Sequence, residues 1–280
     1  MTSQNPAPAL RLAFIGYGEV GQLFGRQFAR QPGITVTAYD LKLHDPAKAE
    51  ALERIAQTDG VHLEASAAEA ARAADIVFSA VTASSTRDVV EEALGYLAAN
   101  QVLFDLNSAS PRTKAGCGEA LTARGLAYVE GAVMAPVAEP GIRVSILAGG
   151  AQATGVAEVL NPRGMMIRVV SDTIGRASAT KLCRSIMIKG IEALIMDSAR
   201  ASAAWGVSDD VFASLGATFP GQDWAHLARL MDGRVARHGI RRAAEMREAA
   251  QMLAELGLSP SLSEAIADAH ERRVLQPPAD

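Results

Sequence analysis

The sequence predicts two domains: an α/β domain built on a doubly wound, mostly parallel sheet over residues 1–172, and an all-helical domain over 173–280. Three observations predict this. Short apolar runs alternate with helical stretches up to about residue 170, the order that builds a parallel sheet. The first apolar run ends in a glycine-rich turn that opens a helix. Beyond Gly175 no strand signal remains, and helical periodicity continues to the end.

The first run, Leu12, Ala13, Phe14 and Ile15, reads as a parallel strand covered on both faces. The turn is Gly16-Tyr17-Gly18-Glu19-Val20-Gly21, and Val20, Leu23, Phe24 and Phe28 follow at helical spacing. Strand, G-x-G-x-x-G and helix together are the Rossmann dinucleotide fingerprint. Gly16 permits the tight turn, Gly18 lets backbone approach a pyrophosphate, and Gly21 lets helix pack on strand. The N–H groups of the first helical turn then face the phosphates. A second β-type run, 34–39, ends at Asp40, close to the ~20-residue offset expected for the acid on the adenosine ribose diol. The competing reading is an Asp that starts a turn. A carboxylate there repels a 2′-phosphate, so NAD is the expected cofactor; Lys42 and His44 nearby leave NADP open.

Further along, Asp45-Pro46 reads as an N-cap followed by proline at the first helical position, starting a helix to about residue 57. Ser66-Ala-Ala-Glu69 is a capping box for a short helix. A strand at 75–81 leads into the loop Thr82-Ala-Ser-Ser-Thr86. That loop lies at a strand's carboxyl end, where ligands sit in such sheets; its hydroxyls read equally as caps for a helix over 86–98. A strand at 101–106 is followed by Asn107-Ser108-Ala109-Ser110-Pro111. Ser110 caps the next helix, and Asn107 and Ser108 are left at the strand end facing the same crevice. Strands at 126–133, 144–147 and 166–170 and a helix at 151–160 complete the α/β part.

The helical part begins with one helix over 177–204, about 42 Å long at 1.5 Å per residue. Leu182, Ile186, Met187, Ile191, Leu194, Ile195 and Met196 surround most of it, the pattern of a helix buried between other elements. Ser178, Lys181, Ser185, Lys189 and Glu192 nevertheless fall within an ~80° arc. One reading puts this polar stripe in the cleft between the domains, with Lys181 as a proton-transfer group whose pKa burial tunes. The other is a solvated edge with a Lys189–Glu192 ion pair. Four more helices are expected, at 208–216, 222–237, 240–256 and 260–273.

Composition narrows the function class. A net charge of −4, with 21% charged residues, argues against a nucleic-acid protein. Cys117 and Cys183 have neither metal-site nor redox spacing, and no metal is expected. No apolar run approaches a membrane span. Residues 1–9 read as a polar, frayed leader without a signal-peptide core, so a cytoplasmic location is expected.

FIGYGEVG, Asp105-Leu-Asn-Ser-Ala-Ser-Pro111, Tyr128-Val-Glu-Gly-Ala-Val-Met-Ala135 and Gly175-Arg-Ala-Ser-Ala-Thr-Lys181 together resemble the β-hydroxyacid dehydrogenase superfamily over essentially the whole chain. That superfamily includes 3-hydroxyisobutyrate and 6-phosphogluconate dehydrogenases. The resemblance is nearest to the branch whose C-terminal part is called 6-phosphogluconate dehydrogenase C-terminal-like. It implies NAD(P)-dependent oxidation of a β-hydroxy acid, or the reverse, with Lys181 as general acid/base. Ser108 and Ser185 are then the groups orienting the reacting oxygen. It also implies a homodimer whose helical domains pack together.

The departures bear on the substrate. Met134 and Ala135 replace the family's substrate-loop Ser and Gly, and Ser185 replaces its Asn. An apolar Met134 suggests a larger or less polar substrate. Lys189, Arg184, Arg241, Arg242 and His238 are the candidates for a substrate carboxylate. Three other activities share this outline: an NAD-retaining C–C lyase without net redox change, an imine reductase, against which Lys181 argues, and a non-catalytic NAD sensor.

Overall fold

The computed structural model describes residues 9–275, so the leader expected at 1–9 lies, apart from residue 9, outside the described residues. The chain divides into two compact units, Met1–Lys181 and Leu182–Asp280.

The first unit alternates strand and helix. Its elements are β1 Leu10–Ile15, α1 Glu19–Ala29, β2 Ile34–Tyr39, α2 Pro46–Asp59, β3 His62–Leu63, α3 Ala67–Ala71, β4 Ile76–Ser79, α4 Thr86–Ala93, β5 Val102–Asp105, α5 Pro111–Thr122, β6 Ala127–Val133, β7 Ser145–Gly149, α6 Ala153–Leu160 and β8 Met166–Ser171. The strands form one eight-stranded sheet in the order β3-β2-β1-β4-β5-β6-β7-β8. Pairing is parallel from β3 through β6, antiparallel between β6 and β7, and parallel again between β7 and β8. Chain direction away from the first strand reverses between β1 and β4. The crevice at their carboxyl ends is the switch point where open α/β sheets bind ligands.

Local chemistry explains most of these elements. Asp45, Ser66 and Ser110 each accept a backbone N–H as the N-cap of α2, α3 and α5. Both faces of the sheet are covered. Phe14, Phe78 and Phe104 pack with Phe24 and Phe28 on one side, and Ala13, Val77, Leu103 and Leu121 pack on the other. The Phe14 and Phe78 rings stack with centroids 4.6 Å apart. Fully burying such a side chain contributes about 1.5–3 kcal/mol.

Two features of the sheet carry no sequence signal, and one expectation needs correction. The two-residue β3 is too short to leave a pattern in the sequence. The helix expected over 86–98 stops at Ala93, because the chain turns at Gly95 to pack Tyr96 and Leu97 against the sheet. And β7 runs opposite to β6, which apolar content alone does not reveal.

The second unit is helical: most of α7, Arg176–Trp205, with α8 Ser208–Thr218, α9 Trp224–Glu255 and α10 Ser261–Leu275. The helices expected at 222–237 and 240–256 are one continuous helix, α9. Gly239 does not break it. A Cβ there would lie 2.6 Å from the His270 carbonyl oxygen and 2.5 Å from Val274 Cγ2, so this glycine lets α10 approach. The expectation that the long helix is buried by apolar residues all round also fails. Met187 and Leu194 are 63% and 72% exposed, whereas Ser185, Lys189 and Glu192 are buried. The polar side is inside because each of these groups finds a partner there, as buried polar groups require.

Candidate active site

The glycine turn sits at the switch point. Gly16 has φ +96°, and a Cβ on it would lie 2.4 Å from the Ala80 carbonyl oxygen after β4. A Cβ on Gly21 would lie 2.2 Å from the Gly16 oxygen. Neither position accepts a side chain. Gly18 differs: nothing lies within 4 Å of its Cβ position. It is the N-cap of α1 and makes no side-chain cap bond. An open approach to a helix N-terminus suits an anionic diphosphate. Glu19 and Val20 supply the first-turn backbone, and Tyr17 is anchored beneath it by its hydroxyl, which donates to Asp59 over 3.0 Å.

At the end of β2, Asp40 is fastened to this turn. Its carboxylate accepts the Tyr17 N–H at 2.8 Å and the Lys42 N–H at 2.9 Å. Each oxygen takes one backbone donor and keeps a lone pair for a diol. Lys42 Nζ is 4.0 Å away and half exposed. The residues present therefore fit a dinucleotide at both its diphosphate and ribose ends.

Two loops border the same sheet edge. Thr82 is exposed, with its hydroxyl 3.1 Å from those of Ser84 and Ser85, and it makes no cap bond to the short helical turn that follows. Asn107 is buried; its side chain accepts the Val81 N–H at 2.7 Å and donates to Ser79 Oγ at 2.8 Å. It thus ties the loop after β5 to the loop after β4.

Next to Asn107, Ser108 accepts from Lys181 Nζ at 2.5 Å. The lysine stands in the second turn of α7 and both groups are half-buried. Met134, at the end of β6, packs with Ala132, Leu147 and Ala177, the last being in the first turn of α7. Ala135 follows it and is exposed. Ser108, Lys181 and the start of α7 are thus gathered in the first unit.

In the second unit, Ser185 donates to Glu245 and Lys189 pairs with the same carboxylate at 3.2 Å. Burial lowers the Lys189 pKa, Arg242 adds to the lowering, and Glu245 opposes it. Glu192 pairs with Arg242. The Lys189–Glu192 ion pair considered from the sequence is replaced by these pairings across to α9. His238 lies exposed on α9.

Two buried carboxylates carry roles the sequence did not disclose. Asp105 pairs with Lys114 at 2.8 Å, accepts the Tyr128 hydroxyl at 2.6 Å and accepts the Asn107 N–H at 2.8 Å. Burial and the nearby Asp105 push the Tyr128 pKa well above its usual range, keeping the phenol a donor. Glu130 accepts N–H groups from the start of α7. The available signal was a lone acid in each of two otherwise apolar strands.

Among the described residues no cluster suits a metal ion, and no helix is long and apolar enough to cross a membrane. Comparison with known proteins agrees with the geometry. Residues 11–175 match the family model described as the NAD binding domain of 6-phosphogluconate dehydrogenase, and residues 202–273 match a domain of unknown function. A conserved hypothetical protein from Sinorhizobium meliloti 1021 is 36% identical, with TM-score 0.80 over 98% of this chain and 92% of that one. A conserved protein of unknown function, described as structurally similar to 3-hydroxyacid dehydrogenases, is 29% identical, with TM-score 0.73 over 96% and 100%. Mycobacterium tuberculosis 3-hydroxyisobutyrate dehydrogenase, solved with L-serine, shares the fold at 17% identity, with TM-score 0.76 over 95% and 94%.

Proposed function

This chain belongs to the family of the NAD binding domain of 6-phosphogluconate dehydrogenase, and on that premise we propose that it is an NAD(P)-dependent oxidoreductase interconverting a hydroxyl and a carbonyl on a weakly polar β-hydroxy acid. The observation that carries the reading is Lys181 Nζ on the Ser108 hydroxyl, at the sheet edge that also bears the glycine turn. When bound, the nicotinamide accepts or supplies the hydride. As the free amine Lys181 takes the substrate's hydroxyl proton during oxidation, and as the ammonium it returns it during reduction; positioned proton transfer contributes about 10²–10⁴-fold. Ser108 holds Lys181 on one side and orients the reacting oxygen on the other.

Asp40 supports NAD over NADP, since its carboxylate repels a 2′-phosphate. Met134, packed beside Ala177, supports a substrate with an apolar flank. The reading includes a homodimer formed through the helical domain, supported by Met187, Ile191 and Leu194, an exposed apolar stripe at i, i+4 and i+7 of α7.

The test incubates the protein with NAD and a panel of branched and aromatic β-hydroxy acids while quantifying NADH and product together. One NADH per substrate consumed is expected. Cleavage products without accumulating NADH would replace this reading with the lyase.

A further inference from the structure

Glu130 is a buried carboxylate that accepts four hydrogen bonds. It lies on β6 and is 0% exposed. One oxygen accepts the N–H of Gly175 at 2.6 Å and of Ala177 at 3.0 Å. The other accepts the N–H of Ser178 at 3.2 Å and its hydroxyl at 2.8 Å. These are the orphan donors of the first turn of α7, and a carboxylate at a helix N-terminus is also favoured by the helix dipole. The neighbouring strand makes room for it: Gly149 is its register partner on β7, and a Cβ there would lie 2.7 Å from Glu130 Oε1. Lys181 is one turn beyond Ser178.

The other half of the pair is held the same way. Asp105 fixes the loop that carries Ser108 through the Asn107 N–H. Asp105 and Glu130 are register partners on adjacent parallel strands. Each buried carboxylate grips one side of the Lys181–Ser108 contact, and the spacing between them is set by the sheet.

We propose that Glu130 is the positioning residue that holds Lys181 against Ser108, by capping the lysine's helix from within the sheet; this deepens the function proposed above and rests on it. In Glu130→Gln one oxygen becomes an NH₂ group, which faces N–H donors instead of accepting them. The first turn of α7 loosens and the lysine leaves its partner. The side chain keeps its volume, so the strand itself is undisturbed.

The experiment is trace labelling of the full-length protein with acetic anhydride across pH, with each lysine quantified by mass spectrometry. Lys114, fully buried in the same unit, is the internal control for global loosening. In Glu130→Gln, Lys181 is expected to label roughly 3- to 10-fold faster, the factor that loss of about one net hydrogen bond gives, with a displaced pH midpoint. Lys114 labelling and NADH binding stay as in the wild type. Unchanged Lys181 labelling would overturn the proposal. So would a parallel rise at Lys114, which marks a merely structural role. Should Glu130→Gln fail to fold, Ser178→Ala removes one of the four donors and is expected to move Lys181 the same way by a smaller factor. Labelling does not depend on turnover. If Lys181→Met kept full activity, the functional reading would fall while the labelling result stood.

Discussion

Lys181 Nζ donates to Ser108 Oγ across 2.5 Å, joining the second turn of α7 to the loop after β5. The two residues are far apart in sequence and meet because β5 and the start of α7 share one sheet edge. A lysine held by a hydroxyl there is aimed at whatever oxygen that hydroxyl also touches. This is the geometry that the proposed proton-transfer role of Lys181 requires.

The proposed role of Asp40 is tested by cofactor choice. Asp40→Ser removes the carboxylate assigned to the ribose, which also accepts the Tyr17 N–H. NADH binding is expected to weaken roughly 10- to 100-fold, the value of losing charge-assisted hydrogen bonds, and NADPH to become the tighter ligand. Titration of nicotinamide fluorescence with both cofactors measures it.

His270 makes stability depend on pH. It is 0% exposed, and its Nε2 must donate to the Lys189 carbonyl at 3.2 Å because a carbonyl only accepts. Burial drives its pKa from 6.5 to about 4; the charges of Arg242 and Lys189 add to this, and the carbonyl bond opposes it. Between those values the unfolded chain binds a proton that the folded chain refuses. The contribution is complete above about pH 6.5 and is lost as pH falls toward about 4, at roughly 3 kcal/mol in all. Urea unfolding of wild type and His270→Gln at pH 7.5 and pH 5 measures it. The variant's curve is expected to flatten with pH, its amide keeping the bond to the carbonyl.

Leu194 stands at the end of the exposed stripe on α7, 72% exposed. Leu194→Glu is expected to convert a wild-type dimer to monomer in light scattering, without loss of NADH binding. A wild type that is already monomeric would remove the homodimer from the account.

How much was legible in the sequence follows the range of each signal. The glycine turn, the offset to Asp40 and the Ser110-Pro111 cap are short-range patterns with fixed chemistry, and the structure reproduces them. The polar stripe on α7 was visible, but which side of the helix faced inward was not. Periodicity reports a face, not its surroundings, so Lys189 and Glu192 found partners on α9 that no spacing rule names. The gap expected between 237 and 240 is continuous helix, and Gly239 within it allows a close approach to the His270 carbonyl, a contact between helices that local patterns do not report. Asp105 and Glu130 stayed silent for the same reason, since a lone acid in a strand discloses its role only once its donors are in place.

The most direct measurement compares turnover in wild type, Ser108→Ala and Lys181→Met with NAD and the best β-hydroxy acid from the panel, with NADH affinity determined in the same samples. The account predicts unchanged NADH binding in all three. Turnover is expected to fall about 10²–10⁴-fold in Lys181→Met and roughly 10- to 100-fold in Ser108→Ala. Lys181→Met retaining wild-type turnover with cofactor bound would contradict it.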